Sequence, residues 1–107
     1  MPYNQEIEAR IRKAISRWKN TAHKNMLGGV CHLLKGNMFG GVYKDFLILR
    51  LGEEKAKKAL DLPCVKPFDI TGKPMKGWVM VTQDGFRGDD ELRNWLNQAK
   101  KFVTSLS

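Results

Sequence analysis

A chain of 107 residues with 42% hydrophobic and 28% charged residues has the size and composition of one globular domain, which excludes disordered and fibrous classes. Its 19 Lys and Arg against 11 Asp and Glu leave a net charge of +8, which favours nonspecific attraction to nucleic acid or an anionic membrane without naming a partner. No apolar run approaches the ~20 residues needed to span a bilayer, and the polar, acidic start MPYNQEIEAR is not the basic-then-apolar opening of a secretory signal, so a cytoplasmic protein with no membrane role is expected.

Ile7, Ile11, Ile15 and Trp18 recur at helical spacing with charges between them, predicting an amphipathic first helix from Glu6 to near Asn20. Asn4 suits its N-cap. Glu6 and Glu8 suit the positive end of the helix dipole, and Arg17 and Lys19 the other end. Three apolar stretches follow, punctuated by Gly28-Gly29, Gly36-Asn37 and Gly40-Gly41, and they predict an antiparallel meander: Met26 to Leu34, a tight turn at Lys35-Gly36-Asn37, a second strand through Val42, and a third from Phe46 to Leu51. Glycine pairs inside strands imply bulges, strong coiling or close approach of a neighbouring backbone.

Glu53 to Leu60 reads as a short second helix, acids first and bases last, stopped by Pro63. Val65 to Ile70 is a weak fourth strand that Pro67 confines to an edge. Thr71-Gly72-Lys73-Pro74 is a turn, and Trp78 to Val81 is a fifth strand. Leu92, Trp95, Leu96, Ala99, Phe102, Val103 and Leu106 then mark a long final helix, with Asp89 or Asp90 as its cap. The expected fold is therefore α+β: one domain over residues 1–107, in two layers, with a mainly antiparallel sheet of about five strands flanked by N- and C-terminal helices in the order α-β-β-β-α-β-β-α.

Residues that could carry chemistry are few. Cys31 and Cys64 form no C-x-x-C pair, and His23 and His32 stand at no ligand spacing with them, so neither a metal nor a cofactor site is expected. Cys31 and His32 are neighbours in a strand and so face opposite sides, which removes them as a thiol and base pair. No phosphate-loop spacing accompanies the glycines. The residues give no catalytic site, and the expectation is a protein that is not an enzyme. Arg10, Arg12 and Arg17 on the first helix are the candidate contacts to nucleic acid or another anion, against a plainly solvated basic face. The aromatic residues lie mostly on core stripes, and no RNP-type signature accompanies them.

The stretch Met26-Leu27-Gly28-Gly29, the turn Gly36-Asn37-Met38-Phe39, the strand Leu47-Ile48-Leu49-Arg50, the run Gly72 to Trp78 and the helix carrying Trp95 together resemble the N-terminal domain of the TfoX family, relatives of bacterial competence regulators. The likeness extends from about Asn20 to the C-terminus; Met26-Leu27 departs mildly from the more usual Met-Phe. It implies the same element order and a regulatory role linked to competence or transcription, and it transfers no catalytic residues. Longer relatives carry a further C-terminal domain.

Two functional classes follow: a noncatalytic regulatory or protein-interaction domain, and a nonspecific nucleic-acid binder working through its basic first helix. One more expectation comes from the sheet. Phe46 and Ile48 oppose Leu47, Leu49 and Leu51 across one strand, and Trp78 and Met80 oppose Val79 and Val81 across another, so both faces are apolar and both need cover. If the helices share one side, Phe46, Ile48, Trp78 and Met80 form a face for a second copy, as a homodimer, or for another protein.

Overall fold

The computed structural model describes residues 3–69, 72 and 74–106. Helix α1 spans Gln5–Ala14, and the Asn4 side chain caps it as expected, accepting from the backbone N–H groups of Glu6 at 2.9 Å and Ile7 at 3.1 Å. The helix stops well short of Asn20. Ile15 and Trp18 hold the helical period because the turn that follows packs them on the same core, so the apolar spacing runs on past the last helical residue.

The meander has one strand more than the sequence suggests. β1 (Thr21–Met26) turns at Leu27-Gly28 into β2 (Gly29–Leu34), which turns at Lys35-Gly36 into β3 (Asn37–Tyr43) and at Lys44-Asp45 into β4 (Phe46–Arg50). β1 was hidden because it is an edge strand, almost wholly exposed, whose sequence TAHKNM offers no apolar alternation. Gly28 therefore sits in a turn at φ +82°, not inside a strand. Gly29 and Gly41 are in strands, and there a Cβ would lie 2.0 Å from the carbonyl oxygens of Val42 and Val30 respectively, so close backbone approach is what demands glycine. The β2–β3 register steps from His32 opposite Gly40 to Leu33 opposite Met38, which leaves Phe39 as a bulge residue sent fully into the core.

Helix α2 spans Glu53–Ala59, β5 is the short edge strand Val65–Pro67, and β6 is Trp78–Val81. Ile70, Thr71 and Lys73, where the fourth strand was expected to end and a turn to form, lie outside the described residues. A single 3₁₀ turn at Gln83–Gly85 leads to α3, Asp89–Thr104. Gly88 is the N-cap of α3, its N–H donating to the Glu91 carboxylate at 3.0 Å. Neither aspartate expected there takes the role, since Asp89 pairs with Arg10 and Asp90 with Arg93.

All five pairings are antiparallel, and the six strands lie in the order β1-β2-β3-β4-β6-β5. The α+β architecture thus stands, with a sixth strand. α1 and α3 touch each other, and both lie across β3; α3 also crosses β4. They share one face, burying Ile7, Ile11, Leu92, Leu96 and Ala99 against Phe39, Val42, Leu47, Leu49 and Val79. Among the described residues, no helix is long and apolar enough to cross a membrane.

Candidate interaction surface

The sheet's other face carries a second, smaller core. Cys31, Ile48, Phe68 and Trp78 are buried together, with Met26, Tyr43 and Met80 packed at their edge. Strand alternation dictates this grouping, because Cys31 lies opposite Gly41, Gly41 opposite Ile48, and Ile48 opposite Met80 across four adjacent strands. A loop residue provides the cover here. Phe68, just past β5, lays its ring 5.8 Å from Trp78 and 5.6 Å from Tyr43, and its carbonyl accepts from the Met75 N–H at 2.9 Å.

That cover is partial. Ile48 is fully buried and Trp78 nearly so, whereas Phe46 and Met80 are only half-buried. Leu33 is half-buried on the same side, and Met38 opposite it is 41% exposed, as is Met75 on the covering loop. The four residues expected to form a free face thus divide into two already used by the monomer and two presented outward. Met26, Met38, Met75 and Met80 all belong to this side, and flexible, polarizable thioethers adapt to partners of differing shape.

Cations border the patch. Lys24 stands opposite Cys31 on the exposed edge strand, Lys66 stands opposite Met80 on the other edge, and Lys44 places its ammonium 5.3 Å from the centre of the Tyr43 ring. Arg50 at the end of β4 donates to the Met38 carbonyl at 3.4 Å, and its charge reaches the Cys31 thiol. That thiol is pushed up from 9.0 to about 11, chiefly by burial, against the opposing pull of the Gly40 and His32 backbone N–H groups and Arg50. It is a packing residue held in its protonated form at neutral pH.

The three candidate arginines differ in their surroundings, and Arg17, expected on the first helix, lies past its end in the turn that follows Ala14. Arg10 is spent on structure: its guanidinium donates to the carbonyls of Phe86 at 2.8 Å and Arg87 at 3.1 Å and pairs with Asp89 at 3.4 Å. Arg12 points elsewhere and pairs with Glu8 at 2.7 Å. Arg10 and Arg17, with Lys13 and Arg93, border one hollow of about 610 Å³ between α1 and α3.

Glu8 itself was missed as anything beyond a dipole partner. It is buried, and its second oxygen lies 2.8 Å from Nε2 of buried His32, tying α1 to β2. The signal was there, because His32 alternates in phase with Val30 and Leu34, and a histidine on the core-facing phase of a strand needs a polar partner. Neighbouring His23 stacks loosely on it at 6.0 Å. Among the described residues, no group of three His, Cys, Asp or Glu is placed to hold a metal ion.

A helix-backed antiparallel sheet, with one face closed by α1 and α3 and the buried Ala56 and Ala59 of α2, and the other covered by a loop over an apolar patch, defines a small α+β domain. The family model of the TfoX N-terminal domain matches residues 13–103, and the chain belongs to that family. No curated protein and no solved structure matches it.

Proposed function

We propose that this TfoX N-terminal domain is a noncatalytic regulatory module that acts by docking to another protein through the loop-covered face of its sheet. The observation that carries this reading is the finish of that face: a buried centre at Cys31, Ile48, Phe68 and Trp78, surrounded by half-buried or exposed Met26, Leu33, Met38, Phe46 and Met80. Apolar patches rimmed by polar residues mark interaction sites. The membership of the family supports a regulatory setting, linked to competence or transcription. Nucleic-acid binding through α1 draws less support, because Arg10 and Arg12 are committed to Phe86, Asp89 and Glu8.

The test is complementation of a deletion in the native host. Met38→Glu combined with Phe46→Glu should keep the circular-dichroism spectrum and melting behaviour of the parent and abolish the regulatory phenotype. Cys31→Ser and His23→Ala should retain it. Loss of phenotype in the cysteine or histidine variants, with the glutamate variant fully active, would overturn the reading.

A further inference from the structure

We infer that the occupant of this face is an acidic amphipathic segment of another protein, an inference that rests on the docking reading above. The argument is charge complementarity. The patch lies between cations on both edges of the sheet, Lys24 on β1 and Lys66 on β5, with Lys44 above Tyr43. Lys24, Lys44 and Lys66 are exposed, so their charges are free to meet a partner. The nearby acids are fewer than the cations: Asp45, which accepts from the Asn4 amide at 3.2 Å on the α1 side, Asp69 next to Phe68 on the covering loop, and Glu53, which borders a hollow with Met75 and Trp78 together with Lys57 and Lys76.

A segment with apolar side chains on one side and Asp or Glu along its borders would set the first against Met38, Phe46 and Met80 and the second against the lysines. Like charges opposite one another count against the wrong partner as strongly as unlike charges favour the right one. That counts against a second copy as the occupant. In an isologous pair through this face, each rim of Lys24, Lys44 and Lys66 would meet its own image, between two chains of net charge +8. The methionines fit an occupant whose apolar side chains are not of one fixed shape, since unbranched thioethers repack at little cost.

The probe is a synthetic 16-residue peptide, Leu and Phe at helical spacing with Glu between them, beside a twin in which every Glu is Lys; each is titrated into the full chain and followed by amide and methionine-methyl NMR. The acidic peptide should move the signals of Met26, Met38, Tyr43 and Met80, bind at least ~10-fold tighter than its basic twin, and weaken as salt rises. Lys24→Glu with Lys66→Glu should weaken it by about tenfold or more without moving the melting temperature of the free protein by more than a few degrees. Equal affinity for the two peptides, or shifts confined to α1 and α3, would overturn the inference. So would sedimentation at tens of micromolar showing a dimer that Phe46→Glu dissociates, since a second copy would then hold the face. If the acidic peptide fails while Met38→Glu with Phe46→Glu still abolishes the host phenotype, the docking reading stands and only the acidic class of partner falls; if both fail, both readings fall.

Discussion

The helix side and the loop side of this sheet reach the same dryness at their centres by different means. Leu47 and Leu49 on one face and Ile48 on the other are all fully buried in the same strand. On the first face the cover is α1 and α3, two amphipathic helices with their own side chains in the core, joined by Ala56 and Ala59 of α2; on the second it is Phe68 from a loop, its carbonyl accepting from the Met75 N–H. A helix brings a continuous apolar stripe, so its face closes completely. One ring closes only the area beneath itself, and the strand residues beyond its reach remain available.

The most direct way to break the comparison is to remove one large ring from each side. Phe39→Ala, emptying a fully buried site beneath the helices, should cost ~3–5 kcal/mol, because strands and helices on all sides cannot collapse into the space. Phe68→Ala should cost less, about 2–3 kcal/mol, since the loop above it can settle onto Trp78 and reduce the cavity. Urea denaturation of both variants measures the difference. Equal losses would mean that the loop side is as rigid as the helix side and that the asymmetry is one of coverage alone.

A smaller effect sharpens the helix side. Glu8 joins α1 to the sheet by accepting from Arg12 and lying within hydrogen-bond reach of His32, and both Glu8 and His32 are buried. Glu8→Ala leaves the imidazole with an unmet polar nitrogen and should cost about 1–3 kcal/mol. Glu8→Gln keeps an acceptor in place and should lose distinctly less. If the two substitutions cost the same in denaturant titration, the carboxylate contributes through packing and not through its bonds. The loop-side cluster has no counterpart to this pair: its buried members are a thiol, an isoleucine and two aromatic rings.

How legible each region was in the sequence follows from how each is held. Elements with a continuous apolar pattern were readable: the one-sided stripes of α3 from Leu92 to Val103 and of α1 through Ile11, and the two-sided apolar runs of β4 and β6. The separation of Leu47 from Ile48, and of Val79 from Met80, needed only strand alternation. β1 was not readable, because an exposed edge strand is held by backbone pairing to β2 and its side chains carry no pattern. The end of α1 was misplaced because packing on the core, not helicity, sets the spacing of Ile15 and Trp18. On the interaction surface, Phe46, Ile48, Trp78 and Met80 were placed on one face by alternation alone. The cover by Phe68 was not, since nothing local tells a loop residue which face it will cross. The tether on Arg10 was equally hidden, because it depends on Asp89 and Phe86, more than seventy residues along the chain, whereas the pairing of Arg12 with Glu8 is local, four residues apart on one helix.

A pH titration tests how tightly the loop side excludes water. Folding raises the Cys31 thiol from 9.0 to about 11, mainly through burial, so between those values the unfolded chain gives up its proton while the folded one keeps it. The folded state then binds more protons than the unfolded state, and stability must fall as pH rises. This contribution is therefore fully present below pH 9 and is lost on the way to about 11. Cys31→Ser removes the high-pKa thiol and should flatten that part of the stability curve. Alkylation gives a second reading near neutral pH: half-buried Cys64 should take up iodoacetamide first, and Cys31 only as fast as the region opens. A Cys31 that reacts as quickly as Cys64 would mean that Phe68 lifts away from the sheet often, and the loop side would then be an opening surface rather than a closed one with a preformed rim.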